Sequence, residues 1–134
     1  MAATTDVKND RRYTKDHEWA KEEQGDLVVG ITAFAVDQLG DITLVNIDVK
    51  PGDKVTAGKA FGTIESVKTL SDLFAPISGK VVEVNDPLSD APETINEDPY
   101  EEGWMIQVEL SDPKEVESLL DAAGYQKFLQ EEPE

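Results

Sequence analysis

Short β-prone runs, separated at close intervals by turns, constrain this chain more than any other feature. Residues 13–20 and Asp26–Ile31 read as strands joined by the polar turn Glu22-Glu23-Gln24-Gly25-Asp26. Residues 42–49 place Ile42, Leu44 and Ile47 among polar neighbours, while Val45 and Val49 leave the register open. Lys50-Pro51-Gly52-Asp53 has the chemistry of a type II turn and leads into the short strand Lys54–Val55. The runs 60–67 and 70–77 form a hairpin, residues 76–79 turn the chain into a strand at 80–84, and 104–110 is the last strand. Such a cadence indicates an all-β sandwich or barrel.

Helical additions are legible at two places. Thr32 caps a short helix over residues 32–39, with Phe34 and Leu39 as its apolar residues and Gly40 as the stop. In the tail, Asp112, Pro113 and Glu115 occupy N-cap, N1 and N3. Val116, Leu119, Leu120 and Ala123 follow as one apolar stripe, then Gly124 interrupts and Tyr125, Phe128 and Leu129 form a second. Both stripes are expected to pack on the sheet. Residues 1–12 read as a flexible lead, and 85–103 as a long irregular loop packed across a surface.

The 134 residues suit one domain, and the absence of cysteine excludes disulfides, thiolate metal sites and cysteine nucleophiles. A net charge of −17 opposes nucleic-acid binding, because it repels phosphate. The charge is uneven: residues 1–67 carry 12 acidic and 8 basic side chains, residues 68–134 carry 17 and 4. A like-charged surface keeps a protein monomeric and steers brief visits to basic partners. With no apolar run of membrane-spanning length and no recognisable targeting segment, a soluble, cytoplasmic protein without a membrane partner is expected. The acidic run at 93–102 lacks the ligand spacing of a calcium loop, so no metal site is expected there. The single histidine, His17, lacks a legible nucleophile and orienting partner, and a structural role beside Trp19 is expected. Trp104 and Tyr100 read as core and loop anchors. Nothing here assembles an active site, and the chain is not expected to be an enzyme.

Lys68 stands alone at the tip of the 60–77 hairpin, with carboxylates at Glu65 and Asp72. A lysine at a turn is ordinarily a solvated charge. A lone amine on a rigid, protruding turn also suits acylation by another enzyme, whereas holding a substrate requires a concave site.

The residues around it settle which reading to pursue. Glu65-Ser66-Val67-Lys68 with Ser71-Asp72 resembles the lipoylation site of glycine cleavage system H proteins. Further matches to this family follow in order: Tyr13-Thr14-Lys15-Asp16-His17-Glu18-Trp19, Val29-Gly30-Ile31-Thr32, Leu39-Gly40-Asp41, Ala75-Pro76-Ile77-Ser78-Gly79, Val82-Glu83-Val84-Asn85, Ile95-Asn96, and Asp98-Pro99-Tyr100 with Gly103-Trp104. Glu101 replaces a common glycine, and Gln38 stands where histidine is acceptable. Biotin-accepting domains use a similar hairpin but place methionine on both sides of the lysine, where Val67 and Thr69 stand here.

The resemblance implies a mainly β fold, a barrel-sandwich hybrid of the lipoyl/biotinyl-domain type. It carries a short internal helix and a C-terminal helical segment from about residue 112, within a lipoyl-carrier domain over 13–134. It implies lipoate in amide linkage to Lys68. It implies a carrier visiting a pyridoxal-phosphate-dependent glycine decarboxylase, a tetrahydrofolate-dependent aminomethyltransferase, dihydrolipoyl dehydrogenase and a lipoate-attaching enzyme. A shuttle passing octanoyl or lipoyl groups to other lipoate-dependent complexes is the alternative. Glu18 and Asp72 are candidates to cradle the arm's aminomethyl ammonium, and Glu65 is the candidate for recognition by the attaching enzyme.

Overall fold

β-Branched and apolar residues at alternating positions build two antiparallel sheets in the computed structural model, which describes residues 10–23, 25–111 and 114–131. The larger sheet has six strands in the order β1-β2-β3-β9-β8-β5: β1 Arg12–Tyr13, β2 Glu18–Glu23, β3 Asp26–Ile31, β9 Ile106–Leu110, β8 Gly79–Val84 and β5 Lys54–Val55. The smaller has three in the order β4-β6-β7: β4 Ile42–Ile47, β6 Ala60–Ser66 and β7 Leu70–Phe74. Four helices complete the described residues, α1 Ala33–Leu39, α2 Glu93–Glu97, α3 Lys114–Glu117 and α4 Ala122–Glu131. Among the described residues, no helix is long and apolar enough to cross a membrane.

The main core is one cluster drawn from both sheets. Val29, Ile31, Val81, Ile106 and Val108 come from the larger sheet, and Val45, Phe61, Ile64 and Leu73 from the smaller. Each such side chain contributes roughly 1.5–3 kcal/mol on burial. The result is the barrel-sandwich arrangement expected for the chain. A second cluster lies behind β2. Neighbouring strand residues point to opposite faces, so Ala20 joins the main core while Trp19 joins Tyr13, Tyr100, Ala122 and Tyr125. Tyr13 and Tyr125 stack with ring centroids 4.5 Å apart, which fixes α4 against β1.

Several expected boundaries move. The strand at 13–20 is broken: the hydroxyl of Thr14 accepts from the N–H groups of Asp16 and Glu18, and His17 takes a left-handed φ of 71°. A β-turn chemistry of this kind is supplied by one threonine. The folded part also starts before Tyr13. The Arg11 guanidinium is buried 4.6 Å from the Trp19 ring centre and donates to the Tyr100 carbonyl at 2.8 Å. The rest of the expected lead, residues 1–9, lies outside the described residues, as do the caps at Asp112 and Pro113. The 85–103 segment is not irregular: it holds a 3-10 turn at Asp86–Ser89 and helix α2, whose Ile95 is fully buried. Gly124 does not interrupt the tail but sits inside α4; the break falls earlier, between α3 and α4, where Leu120 bridges to Tyr13. Buried Ala122, not exposed Ala123, makes the apolar contact.

One side chain of α2 ties this segment to the smaller sheet. Asn96 accepts from the Ile42 N–H at 2.8 Å and donates to the Gly40 carbonyl at 2.9 Å, bracketing Asp41. Replacing it leaves two backbone groups without these partners. Asn96→Ala is expected to lower the unfolding free energy by about 1–3 kcal/mol, read by urea denaturation; an unchanged midpoint contradicts the bracket's role.

Candidate functional site

The turn between β6 and β7 is held by a serine that was part of the motif but had no role assigned. Ser66 is buried, and its hydroxyl accepts from the Lys68 N–H at 3.1 Å and the Thr69 N–H at 3.2 Å. Its own N–H donates to the Thr69 carbonyl at 2.8 Å. From outside the hairpin, the Asp41 carbonyl accepts the Val67 N–H at 3.0 Å. Short polar side chains two or three residues before such N–H groups lock turns in this manner, and that was the available signal. The backbone under Lys68 is therefore fixed while its side chain is exposed.

The lysine stem passes close to a glycine. Gly40 ends α1 with φ of 80°, and a Cβ there would lie 3.2 Å from Lys68 Cε and 3.8 Å from Cδ. Glycine thus both accepts the left-handed conformation and leaves room for the stem. Its sequence role as a helix stop was legible; its contact with Lys68 was not.

Beside Gly40 opens a cleft of about 460 Å³ between the start of β2, helix α1 and strand β7. Leu39, Ile64 and Leu73 give it apolar walls, and Gln38, Ser71, Asp16 and His17 give it polar ones. Glu18 and Asp72 both line it, so the structure brings the two carboxyl groups together at one cleft. Their environments differ. Asp72 is exposed, whereas Glu18 is 2% exposed. Glu18 accepts from the Thr14 hydroxyl at 2.8 Å and from the Phe74 N–H at 3.2 Å, joining the first strand of the cleft to the end of β7. Burial pushes its carboxyl up to about 8, against the two hydrogen bonds, so it holds a proton through neutral pH. Glu65 does not line the cleft; it is exposed in register with Leu44 of β4 and Leu70 of β7.

His17 has structural partners in Phe34 and Tyr125. Its ring lies 4.6 Å from that of Phe34, and its Nδ1 is 2.8 Å from the Tyr125 hydroxyl. That hydroxyl also meets Thr32 Oγ1 at 2.8 Å, and burial raises it above the ordinary phenol range, so it stays neutral. The Tyr100 hydroxyl accepts from the Ala33 N–H at 3.1 Å. Together these contacts fix the first turn of α1 and the cleft wall it forms.

The raised carboxyl of Glu18 has a measurable consequence. An unfolded glutamate releases its proton near 4.5, the folded one near 8. Between those values the native state keeps a proton that the unfolded state has lost, so stability falls as pH rises through this window and levels above it. Glu18→Gln is expected to abolish the decline, stabilising the protein relative to wild type by more than about 2 kcal/mol at pH 8 but not at pH 4.5. Urea denaturation at both pH values reads it; parallel pH profiles contradict a proton on Glu18.

Comparison with known proteins follows this geometry. The family model described as "Glycine cleavage H-protein" matches residues 11–132. A glycine cleavage system H protein of Anaeromyxobacter sp. (strain K) is 61% identical over 128 residues, covering 95% of this chain and 98% of that protein. One from Oceanobacillus iheyensis is 53% identical over 122 residues, covering 91% and 96%. The crystal structure of a glycine cleavage system H protein from Mycobacterium marinum superposes with a TM-score of 0.85 at 42% identity, covering 92% of this chain and 99% of that one.

Proposed function

The chain belongs to the glycine cleavage H-protein family, and on that premise we propose that it carries lipoate on Lys68 and serves as the mobile carrier of glycine cleavage. The observation that carries this reading is an exposed amine on a turn whose backbone is held at Ser66 and Asp41. A fixed base presents the nitrogen to an attaching enzyme, while the side chain beyond it remains free to sweep.

The residues present fit such a group. The Lys68 stem passes close to Gly40, and the cleft beside it combines apolar walls with two carboxyl groups. Attachment requires an activated acyl donor, such as an acyl adenylate. Lys68 Nζ forms the bond to the acyl carbon, the carbon–oxygen bond to phosphate breaks, AMP leaves, and the displaced nitrogen protons pass to solvent. Acylation removes the lysine charge and places the cargo at high effective concentration wherever the protein docks. Lipoate supplies the dithiol chemistry that accepts an aminomethyl group and later yields electrons. Glycine decarboxylase, the aminomethyltransferase and dihydrolipoyl dehydrogenase are the stations of that circuit. The protein itself contributes position and protection rather than catalysis.

Protection falls to the cleft. Glu18 accepts from Thr14 on Oε1 and from Phe74 on Oε2, and it lines the cleft. Glu18, on releasing its proton to solvent, and Asp72 at the exposed rim would be the groups to hold a cargo ammonium in this cleft. A charge-assisted hydrogen bond of this kind contributes about 1.5–3 kcal/mol.

Two measurements test the reading. Intact mass analysis of the protein from its native source is expected to show a lipoyl increment, absent in Lys68→Arg, which also loses carbon dioxide exchange from glycine in a reconstituted system. A biotin increment or a permanently unmodified chain refutes the carrier assignment. Glu18→Gln combined with Asp72→Asn is expected to speed hydrolysis of the aminomethyl-loaded form at least about tenfold; an unchanged release rate removes the two carboxyl groups from the cradle.

A further inference from the structure

The turn that bears Lys68 is shaped by one set of contacts and placed by another. Ser66 closes it from within, its hydroxyl accepting from the N–H groups of Lys68 and Thr69. That closure does not say where the turn stands relative to the cleft. Placement comes from the Asp41 carbonyl, which accepts the Val67 N–H at 3.0 Å. The Lys68 stem also lies against Gly40, where an added Cβ would be 3.2 Å from Cε. Gly40 and Asp41 are the two residues between α1 and β4, and they directly follow Leu39 of the cleft wall. The turn therefore leans on this short connection.

The smaller sheet does not hold the connection by itself. β4 and β6 pair at Ile42 and Ser66, then shift register before Leu44 and Glu65, so a bulge interrupts the ladder beside the turn. Asp41 is exposed and lies beyond the last pair. Its two neighbours are fixed from α2 instead. Asn96 Oδ1 accepts the Ile42 N–H at 2.8 Å, and Asn96 Nδ2 donates to the Gly40 carbonyl at 2.9 Å. The Gly40 N–H donates in turn to the Val36 carbonyl of α1 at 3.0 Å. An amide meets this need because it offers an acceptor and a donor in one plane, whereas a carboxylate offers acceptors only. Asn96 is itself anchored, since the preceding Ile95 is fully buried and the Asp98 N–H closes α2 on the Thr94 carbonyl at 2.8 Å.

We infer that Asn96 is a positioning residue for Lys68: through Gly40 and Asp41 it sets the turn at the mouth of the cleft, so that a group carried on the lysine is delivered into it. The inference rests on the reading that Lys68 is acylated. Two consequences separate this role from plain support of the fold. Offering the amine to an attaching enzyme needs only the turn, which Ser66 closes without Asn96. Keeping a carried group in the cleft needs the turn's placement, which Asn96 sets.

Amide hydrogen exchange on the unmodified protein, read residue by residue by NMR, tests the geometry. Asn96→Ala is expected to speed exchange at Val67 at least about fivefold, with Lys68 and Thr69 within about twofold of wild type. Asn96→Asp, which keeps an acceptor for Ile42 but has no N–H for Gly40, is expected to give the same pattern and decides the matter if the alanine variant does not fold. Ile95→Val, a core change on the same helix that keeps the amide, is expected to leave all three amides as in wild type. In protein lipoylated and loaded with the aminomethyl group, either Asn96 variant is expected to speed release at least about fivefold, while kcat/KM for acylation by a purified lipoate ligase stays within about twofold. Wild-type exchange at Val67 overturns the inference, and so does an equal rise at all three amides or an equal response in Ile95→Val. Faster exchange at Val67 with unchanged release overturns delivery into the cleft and leaves the Lys68 reading standing. No acylation of wild type overturns the Lys68 reading and the inference with it.

Discussion

A sheet of three short strands has one apolar face and nothing of its own to cover it. Val45, Ile64 and Leu73 of β4, β6 and β7 share one cluster with Val29, Ile31, Val81, Ile106 and Val108 of the larger sheet opposite, and Leu39, Leu88 and Ile95 close its margin. That mutual covering is the constraint from which the rest of the molecule follows. It forces the outer face of the smaller sheet toward water, so its hairpin ends in a turn that projects. It also leaves a seam where β2 of one sheet approaches β7 of the other. Glu18 spans this seam by accepting the Phe74 N–H, and the cleft opens alongside. The exposed lysine and its neighbouring cleft are thus two outcomes of one packing arrangement.

Much of this was legible because local chemistry and tertiary packing agree. Thr32 and Gly40 delimit α1 as cap and stop, Asp26–Ile31 is a strand end to end, and the Pro51-Gly52 turn forms with Gly52 at positive φ. Disagreement arises where one side chain overrides a pattern. A β-prone run ending at a polar turn reads as a strand through residues 13–20, yet the Thr14 hydroxyl gathers two backbone N–H groups and breaks it. Composition alone made 85–103 a loop, yet burying Ile95 gives α2 a reason to form. Gly124 weakens a helix by propensity, but Tyr125, held among Tyr13, Thr32 and His17, outweighs that cost.

The site shows the same division. Lys68, Glu18 and Asp72 are readable as residue types in a motif, and the structure brings the last two to one cleft. What a sequence does not carry is solvent access. Nothing in the string His-Glu-Trp distinguishes a charged surface glutamate from one kept protonated by burial, although the difference sets whether the cleft waits as an anion or as a neutral acid. Likewise Ser66 and Gly40 are unremarkable letters until the turn closes and the lysine stem lies down. Their roles belong to geometry between distant segments.

The reach of the C-terminal helix has one more consequence. Tyr125 touches His17 across 108 residues of chain and Thr32 across 93. These side-chain contacts lie outside the hydrogen-bonded ladders of either sheet. Detachment of α4 therefore defines a partial opening, in which one wall of the cleft slackens while the barrel stays intact. Protection of amide hydrogens should accordingly be graded, lowest in the tail and in the first turn of α1, and deepest in the strands that bury the core.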